Sequence, residues 1–274
     1  MYRIALFLAL ITILTVDSSA QWRWHNLQAE QNDVKMIDKN TIFIVCDDGR
    51  IIKTVDGGER FSLQEPFIRA DLLGIDFIDE NHGIVVGDSG YVLTTNNSGK
   101  KWNNTRVDSD SLIDVQMLDR NNIYICGKEK VFKSTDGGNE WQSIFQKKEA
   151  VFSGLSFIDK NIGCICDING AIYQTTNGGD SWDKRYESTK QYHHFFDIEF
   201  YDKYGTVVGI DTSGYYKSSI LRSSDEGTNW ERVDTSLTPY RKLYKVKMFD
   251  SKKASAVGTW GKTYSTNDFW NNVI

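Results

Sequence analysis

Apolar residues in this chain come in short runs, cut at close intervals by Asn, Asp, Gly and Ser. The runs are the length of strands, and the polar clusters between them hold the residues that turns require. One stretch shows the plan. Leu73 to Ile78 reads as a strand, Asn81-His82-Gly83 as a turn and Ile84 to Gly87 as a second strand. Asp88-Ser89-Gly90 turns the chain again, Tyr91 to Thr95 is a third strand, and a fourth begins at Trp102. The order recurs, and its first strand ends each time in two apolar residues and an Asp. These endings are Met36-Ile37-Asp38, Phe77-Ile78-Asp79, Met117-Leu118-Asp119, Phe157-Ile158-Asp159, Phe200-Tyr201-Asp202 and Met248-Phe249-Asp250. Four short strands per unit, at a period near forty residues, predict one propeller blade per unit. The blades fall at roughly 30–66, 67–107, 108–147, 148–188, 189–236 and 237–274.

An eight-residue phrase closes the third strand of each unit. It runs hydroxyl residue, any, Asp or Asn, any, Gly, any two, then an aromatic. The copies are Thr54–Phe61, Thr95–Trp102, Ser134–Trp141, Thr175–Trp182 and Ser223–Trp230. A sixth copy begins at Ser265-Thr266-Asn267 and breaks down at Asp268-Phe269-Trp270. Asp56, Asn97, Asp136, Asn177 and Asp225 stand where a side chain can accept nearby backbone N–H groups and close a turn. The Gly takes a positive φ at little steric cost. Phe61, Trp102, Trp141, Trp182 and Trp230 start the next strand and anchor it by burial. The carboxylates are therefore expected to be structural, not catalytic.

The phrase resembles the Asp-box, or BNR repeat, found in sialidases, sortilin-type receptors, some xyloglucanases and the Ycf48/HCF136-like photosystem II assembly factors. The regular spacing is most similar to the Ycf48-like group. The resemblance implies a non-enzymatic β-propeller that binds a partner protein during assembly of a larger complex. It does not imply photosynthesis.

The expected fold is thus all-β, a propeller of about six four-stranded blades, with a seven-bladed or incomplete ring as the alternative. Residues Gln21 to Leu27 look like a fourth strand without a preceding blade, so they are expected to complete the last blade and close the ring. The boxes then share one face. Ligand-binding loops belong on the opposite one, as the sialidase resemblance implies. Both insertions of the fifth blade lie there, and inserted loops on a rigid scaffold often carry function. Tyr192, His193, His194, Phe195 and Phe196 in one, with Tyr215 and Tyr216 in the other, form the candidate partner-binding group.

Composition trims the options. A formal charge of −5 and a pI near 5.5 give no basic face for nucleic acid. Arg3, the apolar run Ile4 to Leu14 and Ser18-Ser19-Ala20 read as a signal peptide over 1–20, leaving 21–274 as one domain. The location expected is secreted, periplasmic or cell-surface. No Cys follows the apolar run, which argues against lipoprotein processing, and no later segment is apolar enough to span a bilayer. Cys46, Cys126 and Cys166 fall where other repeats carry Gly87, Gly209 and Gly258, and read with Cys164 as small buried thiols. Adjacent His193 and His194 on a strand point opposite ways, so no metal site is expected, and no cofactor.

The competing class is a carbohydrate-binding protein or a glycoside hydrolase. A sialidase needs three arginines around a carboxylate and usually an Arg-Ile-Pro segment; Phe67-Ile68-Arg69-Ala70 is the nearest echo and lacks the Pro. Other glycosidases need two facing loop acids, for which Asp71, Asp88 and Asp167 are the candidates.

Overall fold

The structure, a computed structural model, describes residues 30–64, 66, 68–188, 193–212, 217–233 and 242–271. Every sheet is antiparallel. The first holds β1 (Gln31–Met36), β2 (Ile42–Cys46), β3 (Ile51–Thr54) and β4 (Ser62–Gln64). The second holds β5 (Leu72–Phe77), β6 (Gly83–Gly87), β7 (Tyr91–Thr95) and β8 (Asn103–Arg106). The third has six strands: β9 (Leu112–Met117), β10 (Ile123–Ser134), β11 (Gln142–Phe157), β12 (Gly163–Asp167), β13 (Ala171–Thr175) and β14 (Asp183–Glu187). The fourth holds β15 (His193–Tyr201), β16 (Tyr204–Asp211), β17 (Lys217–Ser223) and β18 (Glu231–Arg232). In the fifth, β19 (Leu243–Met248), β20 (Ala254–Gly258) and β21 (Lys262–Thr266) are described.

The protein is an all-β propeller with five blades among the described residues, not the six separate ones that the repeat predicts. Two sequence units share the third blade. β10 pairs with β9 over Ile123–Gly127 and with β11 over Lys128–Lys133, so it serves as both second and third strand of its unit. β11 then runs on to pair with β12 from Phe152 to Phe157. The cause is the turn chemistry. Where other units turn tightly at Asp47–Gly49, Asp88–Gly90 and Thr259–Gly261, this one has Lys128-Glu129-Lys130, and the ladder continues on both sides of it. The ring closure predicted for residues 21–27 lies outside the described residues.

The core lies between blades. Phe43, Val45 and Ile51 of the first blade pack on Leu72, Ile75 and Phe77 of the second. Phe43 and Phe77 stack at 4.5 Å, and the box residue Trp102 meets both edge-on at 6.5 and 6.1 Å. The aromatic of the strand-end signature and the aromatic of the next box thus build one joint, as their repetition at one spacing requires.

The boxes work as hairpin staples. In all five predicted copies the hydroxyl donates to the Asp or Asn two residues on and accepts the glycine N–H, at 3.0 Å for Gly58 and 2.9 Å for Gly138. The same Asp or Asn oxygen accepts the N–H four residues on, at 3.0 Å from Arg60 and 2.9 Å from Asn229. The sixth copy lacks the Gly and the final aromatic, yet keeps its hydroxyl staple, beginning at Thr266, one residue later than expected. Thr266 donates to Asp268 at 2.9 Å, and Trp270 stands in the glycine position with φ 63°. Its buried indole donates to Thr206 Oγ1 at 3.0 Å, so the aromatic anchor comes from inside the box.

One register is also corrected. Cys46 does match Gly87, Gly209 and Gly258, each paired with the residue just before the bulge of an inner strand. Cys126 and Cys166 sit one residue earlier, opposite Asp114 and Gly154, where other blades carry Val45 and Val86. All four thiols are free and buried, and burial holds their pKa values above the usual range.

Candidate functional site

Six strands line the axis: β1, β5, β9, the second half of β11, β15 and β19, each touching the next. Every one carries a β-bulge near its start. The extra residue changes which side chains point inward. Leu72 and Ile75, Leu112 and Val115, Phe195 and Ile198, and Leu243 and Val246 are core residues three apart, where an unbroken strand would space them by two. The two residues between each pair are left for the axis.

The channel therefore has layers. At the bulges, toward the end of the inner strands opposite the boxes, stand Leu73, Ile113, Phe196 and Tyr244, all half-buried, with polar Asn32 and Ser153 at the same level of the other two strands. Phe196 and Tyr244 belong to different blades and their rings meet at 5.6 Å. Burial of this ring holds the Tyr244 hydroxyl above its ordinary pKa. By strand register Asp33, Asp114, Asp197 and Lys245 share the next level, and Lys35, Asp76, Gln116, Ser156, Glu199 and Lys247 the one after it.

The acids solve a problem that the propeller creates. Inner strands of neighbouring blades splay apart, so their facing N–H groups lack a ladder partner, and an orphaned buried N–H is costly. Asp33 accepts from Ile75 at 3.1 Å, Asp76 from Met117 at 2.7 Å, Asp114 from Leu155 at 2.9 Å and Asp197 from Val246 at 2.8 Å. Gln116 and Ser156 do the same for Phe157 and Phe200. Each spoke thus reaches the next blade.

Lysines balance part of the charge. Lys35 pairs with Asp76, and Lys247 with Glu199. Lys245 lies 3.6 Å from Asp197 and 3.9 Å from Asp114, and its field also reaches Asp33. Those contacts join the last inner strand to the third, a span that requires strands ringed about one axis. Desolvation pushes Asp197 up to about 7 against the pull of Lys245, and raises Asp33 and Glu199 too. Lys245 is itself held well above the ordinary lysine value by the surrounding acids, which outweigh its burial. Its side chain keeps 30% exposure, so the ammonium is not sealed from solvent.

The residues singled out from sequence are scattered. Phe195 is core, fully buried against Tyr186, and is corrected from surface to interior. The cause is alternation: the bulge that turns Phe196 toward the axis leaves Phe195 in the joint. His193 is buried, with Nε2 3.6 Å from Asp211, which accepts from Arg232 at 2.7 Å. His194 Nδ1 meets the Ile168 carbonyl at 2.6 Å. Tyr192, Tyr215 and Tyr216 lie outside the described residues. The candidate loop acids do not assemble: Asp71 accepts the Asp48 N–H, Asp167 is buried on the N–H groups of Asn169 and Ala171, and Asp88 opens a tight turn. No cluster of three metal-ligating side chains occurs among the described residues, nor does any helix long and apolar enough to cross a membrane. Sequence reading missed the channel. Its trace was an acid in the middle of an apolar strand, as in Leu112-Ile113-Asp114-Val115 and Phe195-Phe196-Asp197-Ile198.

Comparison with known proteins decides the family. The model of the photosynthesis system II assembly factor YCF48 family matches residues 60–150 and again 141–273. This chain belongs to the Ycf48 family. Among relatives, the photosystem II assembly lipoprotein Ycf48 of Prochlorococcus marinus (strain MIT 9312) is 25% identical over 177 residues, 61% of this chain and 51% of that protein. The Ycf48 of Synechococcus sp. (strain CC9902) is 27% identical over 122 residues, 42% of this chain and 37% of that one. The chain therefore spans about half the length of the first relative and less of the second. A solved YCF48 bound to a D1 peptide superposes with a TM-score of 0.59 at 16% identity, covering 88% of this chain and 93% of that one. The GH74 enzyme of Niastella koreensis reaches 0.68 at 12% identity over 88% of this chain and 45% of its own. Both structural matches speak for the fold of this Ycf48 family member, and for the fold alone.

Proposed function

We propose that this chain is an exported, non-enzymatic scaffold that holds a partner polypeptide on its channel-mouth face during assembly of an envelope or surface complex. The observation that carries the reading is the half-buried apolar group of Leu73, Ile113, Phe196 and Tyr244 at the bulges of four inner strands, with Phe196 and Tyr244 in ring contact. Family membership supports it, as does a relative solved with a bound D1 peptide. Residues 1–20 serve as the export signal and 21–274 as the propeller.

The glycosidase reading draws on the GH74 likeness in fold. Hydrolysis of a glycosidic bond takes two carboxyl groups facing an open cleft. Here Asp114 and Asp197 flank the Lys245 ammonium, and each spends an oxygen on a neighbouring strand.

A photo-crosslinking amino acid at position 73, with a control at exposed Val55 on the box face, tests the proposal in the native host. A discrete protein adduct from position 73 and none from 55 supports it. Absence of an adduct at 73, or turnover of xyloglucan or a fluorogenic sialoside by the purified chain, overturns it.

A further inference from the structure

The channel has more carboxylate than it needs for its own lysines. Asp76 serves Lys35 and Glu199 serves Lys247, which leaves Lys245 facing three acids, Asp33, Asp114 and Asp197. Neither contact, to Asp197 or to Asp114, is short enough for a hydrogen bond. Asp197 Oδ1 lies 3.6 Å from that ammonium, on a side chain 7% exposed. Three carboxyl groups around one ammonium leave an excess of negative charge, which an arriving cation or donor offsets. Asp48, Asp71 and Asp88 stand in turns on the same face and add to the negative field over the mouth.

One register level above the cage lies the apolar group at the bulges. We infer that this mouth receives a lysine or arginine side chain of the partner polypeptide, the apolar residues beside it seating on Leu73, Ile113, Phe196 and Tyr244. The inference rests on the scaffold reading above and names the chemistry of the segment it holds. An acidic segment is repelled by the same cage, and a purely apolar one leaves the excess carboxylate charge unbalanced. The Phe196 and Tyr244 rings, packed on one another, also offer an aromatic surface to a guanidinium or ammonium passing beside them.

The test uses the mature chain and four capped, fluorescein-labelled hexapeptides that differ at one central residue, Lys, Arg, Gln or Glu, between Leu and Phe. Anisotropy at low salt is expected to show the Lys and Arg peptides binding about tenfold or more tighter than the Gln and Glu peptides. Asp197→Asn keeps an oxygen for the Val246 N–H and is expected to narrow that gap. Lys245→Gln is expected to widen it, an opposite sign that a merely structural role does not produce. Phe196→Ala is expected to weaken all four peptides alike. Equal binding of the Lys and Glu peptides, or a gap unchanged by both charge variants, overturns the inference. The crosslink at position 73 separates the two readings. An adduct retained at full yield in Asp114→Asn/Asp197→Asn leaves the scaffold standing and rejects the cationic side chain, whereas no adduct in the parent rejects both.

Discussion

Single hydroxyls carry more of this fold than the carboxylates beside them. Ser134 is buried, donates to Asp136 and accepts the Gly138 N–H, so its loss strands a buried donor. Ser134→Ala is expected to cost about 1–3 kcal/mol in urea unfolding, whereas exposed Glu140→Ala stays within about 0.5 kcal/mol. The acids split by location in their response to pH. Hydrogen bonds from His82 and from turn N–H groups hold Asp79 below its ordinary 3.8, so its contribution is intact above about pH 4 and fades as pH falls. Asp197 behaves oppositely. Its folded value is raised from 3.8 to about 7, so its contribution is full below pH 4 and fades as pH rises toward 7. Asp33 and Glu199 are raised in the same direction. The urea midpoint is expected to fall between pH 5 and 7.5, and to fall less in Asp197→Asn. An equal slope in both proteins would show that this carboxyl does not titrate in that window.

At the scale of strands, close approach sets the rules. A Cβ on Gly87 would lie 2.3 Å from the Asp71 carbonyl oxygen, because the bulge at Leu73 draws the two strands together there. Gly87→Ala is expected to cost about 1–3 kcal/mol by forcing that bulge open. Legibility varied from strand to strand. The units with Asp-Ser-Gly or a similar turn could be cut into strands by eye, since a left-handed turn residue followed by Gly ends a strand wherever it falls. Lys128-Glu129-Lys130 has no such Gly, and there the predicted boundary dissolved into one long strand. The sixth box was misread for a related reason. Pattern matching looked for Gly at the φ-positive site, and Trp270 occupies it, anchored by Thr206 and the joint around it. The last blade has three described strands, and the closure expected of residues 21–27 would add a fourth. A Trp24→Cys/Tyr264→Cys pair and its neighbours in register are expected to form a disulfide in the folded protein. Failure of every such pair to oxidise removes that strand from the edge of β21.

Taken whole, the molecule is a ring whose joints are apolar between blades and ionic at the axis. Export predicts that the mature chain begins at Gln21, which intact-mass measurement of protein recovered from the host checks directly; a retained Met1 would reject the signal reading. The repeat, the staples, the all-β class and the kinship to Ycf48 were all present in the order of residues, because each depends on local turn chemistry and on a period that one chain displays along its length. The fused third blade, the inward turn of Phe196 with Phe195 buried beside it, and the gathering of Asp33, Asp114, Asp197 and Lys245 were settled in three dimensions. Those residues are 33, 114, 197 and 245 positions along the chain, and nothing but the bending of blades around an axis makes them neighbours.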